Sequence, residues 1–323
     1  MVYHGSDGDA TTFDFREKAA LAATENMYLG PDGRVVNNSN HLGMLAIGVP
    51  GTVAGLFKAH QELGVLPWAD LVAPAISLAR NGIPITYALQ TGFSRSANRF
   101  RQYPSSARKF FREDGSLYEI DEIWIQPDLA HTLELIQENG RDGFYKGENA
   151  KRLADFMMAN GGLITQEDLE RYEAIEREPI RGTYRGHEII SMPPPSSGGI
   201  VLVEMLNILE NYDLSAMGHN SAEYLHVLTE AMRRAYADRA EHLGDPDFNE
   251  SMPLDRLLDK GYASTLQASI NMDMKSESSP SDFAQAYESE ETTHFSIVDK
   301  DGNMVSLTSV SYTHLTLPTS YAV

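Results

Sequence analysis

Apolar and polar positions alternate between two periods along this chain, and the changes of period mark its elements. A polar, turn-rich opening around Gly5, Ser6, Asp7, Gly8 and Asp9 gives way to FDFREKAALAATENMYL, where Ala19, Ala20, Ala23 and Met27 predict a helix fed by a strand. Leu45, Ile47 and Val49 alternate as in a strand, Pro50-Gly51 breaks the pattern, and Val53, Leu56, Phe57 and His60 resume at helical spacing. A second helix is predicted in LPWADLVAPAISLARNGIPI, stopped by Gly82 and Pro84. Surface helices follow at 127–139 and 151–160, each ended by glycine, and strand character returns from 181 to 192 around a turn at 184–187.

The second half is more apolar at first. SMPPPSSGGIVLVEMLNILENYDL joins a proline turn to a helix that ends near Asn211, and its small residues Ser196, Ser197, Gly198 and Gly199 leave N–H groups open at the helix start. A longer helix is predicted after Asn220, capped by that residue with Glu223 reciprocating, and with Leu225, Leu228, Met232 and Ala235 as its buried stripe. Residues 274–291 are rich in Ser and Glu and read as an exposed linker. The chain then enters TTHFSIVDKDGNMVSLTSV, whose two alternating runs flank Asp301-Gly302 and predict a hairpin over 293–298 and 304–308. The turn is no calcium loop, since its glycine stands fourth rather than sixth and no glutamate closes it.

Composition narrows the function classes. The 323 residues suit two domains or one large α/β domain, and 42% hydrophobic with 22% charged residues is the balance of a folded core. No cysteine is present, which excludes disulfides, thiolate metal sites and a cysteine nucleophile. With 46 acidic against 26 basic side chains, the net charge of −20 argues against nucleic acid as a partner. Against that background Arg95, Arg99, Arg101, Arg108, Lys109 and Arg112, with Arg80 just outside, form a local basic concentration that reads as a solvated helical face. No long apolar run and no leader at Met1 is found, so neither a membrane span nor a signal segment is expected in these residues.

Thr292 and Thr293 stand where the acidic linker meets the first hairpin strand. A threonine freed at a new N-terminus carries its own base, an α-amine whose reference pKa of about 7.7–8.0 leaves part of it neutral near pH 7. Residue pattern alone leaves this reading open against a cross-strand or capping threonine. Likewise it leaves Arg16 open against a surface pair with Glu17.

Seven spaced motifs carry a resemblance: DFRE at 14–17, GVPGTVAGL at 48–56, YKG at 145–147, NGGLIT at 160–165, MPPPSSGGI at 192–200, AYADR at 235–239 and TTHFSIVDKDGN at 292–303. Together they resemble γ-glutamyltranspeptidase over nearly all of residues 10–309. The resemblance implies an α/β (α+β) fold, the αββα sandwich of an N-terminal-nucleophile hydrolase, truncated here at both ends. It implies a partial large-chain region at 1–291, the start of a small-chain region at 292–309 and an atypical tail at 310–323.

It further implies self-cleavage between Glu291 and Thr292, with Thr292 as the nucleophile that acts on glutathione and other γ-glutamyl amides. Arg16 would bind the substrate α-carboxylate, and Thr308 would support Thr292 or serve as a plain strand hydrogen-bonding residue. No cofactor or metal is implied. Water, amino acids or dipeptides would accept the γ-glutamyl group, and the small chain would come from the same precursor. In a bacterium the location would be periplasmic or extracellular. Family members continue beyond SLTS with further substrate contacts and a glycine-pair oxyanion hole, so these 323 residues alone are expected to be inactive, with an incomplete sheet and exposed edges. The alternative is a noncatalytic γ-glutamyl or peptide-binding fragment.

Overall fold

The computed structural model describes residues 1–277 and 292–310. Most of the linker, Glu291 of the expected cut and the tail from 311 lie outside the described residues. Among the described residues there are nine strands: β1 (Val2–His4), β2 (Ala10–Asp14), β3 (Ile83–Pro84), β4 (Ile123–Trp124), β5 (Ile175–Arg177), β6 (Ile180–Tyr184), β7 (His187–Ser191), β8 (Thr292–Val298) and β9 (Met304–Val310). Five of them form one sheet in the order β5-β2-β1-β9-β8, and β3-β4 and β6-β7 are separate two-stranded ribbons. β1 is antiparallel to both neighbours, Val2 standing opposite Thr12 on one side and Ser306 on the other.

The expected hairpin is therefore β8-β9, hydrogen-bonded neighbours joined at Asp299–Asn303. Its turn is held by the Asp299 carboxylate, which accepts from the backbone N–H groups of Asp301 and Asn303, each at 2.9 Å. Bonds led by the Asn303 side chain hold that carboxyl below its usual range. β8 ends the strand order, and Phe295, Ile297 and Val298 are exposed along it.

The chain divides into two compact units. One contains residues 13–175, with 292–293 and 308–310. Its helices are α1 (Thr52–Leu63), α2 (Trp68–Asn81), α3 (Tyr87–Arg101), α4 (Pro104–Phe110), α5 (Pro127–Asn139), α6 (Asp142–Tyr145), α7 (Gly147–Ala159) and α8 (Gln166–Glu170). A main core gathers Val49, Val53, Ile136, Tyr145, Met157, Ile164, Leu169 and Tyr172. A second, aromatic core places Phe93 and Phe100 of α3 against Phe110 and Trp124.

Two expectations fail in this unit. Residues 19–27 form turns, because long-range backbone bonds capture the segment: Lys18 pairs with Val49, and the Leu21 N–H donates to Asp168 at 2.5 Å. Residues 45–49 form no strand but a short 3-10 turn, Met44–Ala46, followed by that single Val49 bridge.

The other unit contains residues 1–12, 176–277 and 294–307. Its helices are α9 (Gly198–Leu209), α10 (Leu214–Met217), α11 (Ala222–His242), α12 (Leu254–Leu258) and α13 (Lys260–Ala268). Strand β6 turns into β7 through Arg185 and Gly186, both at positive φ, and the ribbon packs on α9. The cap of α11 is Ser221, whose hydroxyl accepts from the Tyr224 N–H, while Asn220 takes a positive φ one residue earlier. The buried face of α11 is Val227, Glu230, Ala231 and Ala235, and the expected Leu225 and Met232 are exposed. Two buried groups explain the rotation: Glu230 accepts from Ser276 and Arg234, and Ala231 lets α11 sit close in the core with Ile208.

Candidate functional site

Arg16 lies two residues past the end of β2, on a segment pinned from several directions. Its N–H donates to the Asp14 carboxylate at 3.1 Å and its carbonyl accepts from the Tyr172 hydroxyl at 2.7 Å. Tyr172 stacks on Tyr145, rings 5.6 Å apart and nearly parallel. Tyr145 in turn donates to the Pro50 carbonyl at 2.7 Å and accepts from the Ala54 N–H at 3.3 Å. Burial pushes both phenols well above their usual range, so they stay protonated and able to donate.

The glycines of GVPGTVAGL make the room for this arrangement. A Cβ on Gly51 would overlap the Phe15 carbonyl and the Tyr172 hydroxyl, one on Gly55 would enter the Phe15 ring, and one on Gly48 would press on the Glu17 side chain. DFRE, GVPGTVAGL and YKG are thus one packed assembly that presents Arg16. NGGLIT braces it, since Thr165 and Asp168 form a capping box and Asp168 also binds the Leu21 N–H.

The Arg16 side chain is half exposed, with Nε 3.6 Å from Glu17 Oε1. An exposed guanidinium offers a planar fork to a carboxylate. Burial raises the Glu17 pKa, and Arg16 offsets part of that rise. Thr292 is the first residue of β8, and Thr308 is exposed near the end of β9, between buried Leu307 and Ser309. Strand order and register carry the end of β2, the end of β9 and the start of β8 to the same end of the sheet. Three strand spacings, about 14 Å, separate the backbones of β2 and β8.

The other motifs meet in the second unit. Ser197 of MPPPSSGGI accepts from Arg239 of AYADR at 2.9 Å, and the Asp238 carboxylate accepts from the Tyr262 hydroxyl at 2.7 Å. Beside Asp238 lies Glu204 of α9, fully buried. Burial, then a hydrogen bond between its protonated carboxyl and the Asp238 side chain together with the Asp238 charge, push its pKa up to about 9. Sequence reading passed over Glu204, although a lone charge inside the apolar run GGIVLVEMLNIL was the signal for it. Among the described residues no group of three or more His, Asp or Glu side chains is arranged to hold a metal ion.

Residues 1–315 match the family model of Gamma-glutamyltranspeptidase. The chain is 45% identical over 311 residues to the glutathione hydrolase proenzyme of Pseudomonas sp. strain A14, covering 95% of this chain and 54% of that protein. It is 42% identical to the glutathione hydrolase proenzyme of Escherichia coli K12, with 95% and 53% covered. It therefore spans about half the length of the curated relatives it matches. The crystal structure of Helicobacter pylori gamma-glutamyltranspeptidase aligns with a TM-score of 0.85 at 42% identity, over 90% of this chain and 83% of that one. The mixed α/β fold is accordingly that of an N-terminal-nucleophile hydrolase, and the chain belongs to the γ-glutamyltranspeptidase family.

Proposed function

We propose that the protein of which these residues are part cleaves itself between Glu291 and Thr292 and then transfers or hydrolyses γ-glutamyl groups from glutathione and related amides. The observation that carries this reading is the position of Thr292 as the first residue of β8, directly after the Ser/Glu-rich segment, in a chain of this family. In the precursor the Thr292 hydroxyl attacks the Glu291 carbonyl, the acyl group shifts from nitrogen to oxygen, and water hydrolyses the ester. The freed α-amine then serves as base.

In turnover the same hydroxyl attacks the γ-carbonyl, and the amine leaves, cysteinylglycine in the case of glutathione. Water or an amino-acid amine resolves the γ-glutamyl ester. Arg16 holds the α-carboxylate at the far end of the γ-glutamyl group, and Thr308 supports the nucleophile from the neighbouring strand. Family membership favours an exported location.

Intact mass and hydrolysis of a γ-glutamyl anilide test the reading in the full-length precursor. Thr292→Ala is expected to stay one chain without turnover, whereas Thr293→Ala still cuts before residue 292. Normal cutting or turnover by Thr292→Ala would overturn the assignment.

A further inference from the structure

Residues 71–112 hold seven arginine or lysine side chains and no aspartate or glutamate, in a chain of net charge −20. The fold divides these cations into two groups. Arg80 and Arg112, at the two ends of the stretch, are used internally: Arg80 pairs with Glu134, and Arg112 reaches Glu122 at 2.6 Å. Of the cations between them, Lys109 is half-buried, and the four arginines are turned outward. α3 buries Phe93, Ala97 and Phe100, so at about 100° per residue Arg95 and Arg99 occupy the opposite face, and both are exposed. Arg108 of α4 is exposed as well, and Arg101 is exposed with its guanidinium 4.5 Å over the Phe111 ring. Among the described residues Arg95, Arg101 and Arg108 have no carboxylate within ion-pair distance.

We propose that the outer surface of α3 and α4 docks electrostatically on an anionic lipid surface, whose headgroup phosphates supply the missing counter-charges. Two features favour a lipid surface over a nucleic-acid strand or a single small anion. Phe93, Phe100, Phe110 and Phe111 are all buried, which leaves no ring of this aromatic core for bases to stack on. The exposed arginines are distributed over two helices rather than converging on one point, an arrangement that suits repeating headgroup charges. Screening over about 8 Å at physiological salt confines the repulsion from the acidic remainder of the chain, so the local charge governs contact.

Co-sedimentation with vesicles tests the proposal, using phosphatidylcholine alone and phosphatidylcholine with roughly a third phosphatidylglycerol. The protein is expected to bind only the anionic vesicles and to be released as salt rises from ~0.05 to ~0.3 M. Arg95→Glu/Arg101→Glu/Arg108→Glu should weaken binding by about 100-fold or more. The same number of reversals at Lys151, Arg152 and Arg171, exposed cations of α7 and the end of α8, should leave it within about twofold. Glutamine at the same three arginines, with an unchanged circular dichroism melt, provides the reading if the reversal variant misfolds. Failure to bind anionic vesicles, equal binding to neutral ones, or equal loss in both triple variants would overturn the proposal. So would tighter binding of a linear polyanion such as heparin through the same arginines.

Discussion

Arg16 and Gly51 act on one segment by different means, and substitution separates them. Removing the guanidinium takes away an exposed fork that the fold barely uses, whereas a methyl at Gly51 collides with the Phe15 backbone and the Tyr172 hydroxyl. Arg16→Ala is therefore expected to leave the melting temperature unchanged and to raise KM for a γ-glutamyl anilide in the full-length enzyme. Kinetic constants equal to the parent's would remove its carboxylate role. Gly51→Ala should cost about 1–3 kcal/mol of stability as overpacking, read as a lowered denaturation midpoint. The motif GVPGTVAGL was visible in the residues, but its reason was not. Glycine announces close approach in a sequence without naming the partner, and here the partners Phe15 and Tyr172 lie about 36 residues before and 121 residues after Gly51.

At the scale of elements, the α9, α11, α12 and α13 group stores a protonated carboxyl. Glu204 is faced by Asp238 from α11, Arg256 from α12 and Tyr262 from α13, the last itself raised to about 12 by burial and by Asp238. Because the folded pKa of Glu204, about 9, lies above its ordinary 4.5, the folded state holds the extra proton between those values. The stability it contributes is complete below pH 4.5 and is lost as pH rises through 9. Glu204→Gln should flatten that alkaline loss in urea midpoints measured across the window, and an unchanged slope would exclude Glu204 as its source. Elements with clear punctuation, such as the β6-β7 ribbon and the β8-β9 hairpin, could be read from residues alone. The face of α11 could not, since Glu230 is inside only because Ser276 and Arg234 satisfy it, with its pKa brought down to about 2 against the upward push of burial. A hydropathy pattern carries no information about a partner as distant in the chain as Ser276.

For the whole molecule, the sheet crosses the expected cut. β9, on the far side of Thr292, is paired along β1 from Val2 opposite Ser306 to His4 opposite Met304, and Tyr3 and Ser6 both donate to the Asn303 side chain. The two pieces of a cleaved precursor should therefore elute together from a sizing column under native conditions and separate only in denaturant. Native separation would show that this pairing does not hold them. The sequence resemblance named the two pieces, but which strands join them depends on a register no local pattern contains. The same pairing has a kinetic side. Tyr3 and Asn303 are 300 residues apart, so β1 waits for one flank until the residues between them have been made. Closing so long a loop is costly in entropy and gains nothing until β8 and β9 arrive, which makes completion of the sheet a late event in folding and the locally formed helices an early one.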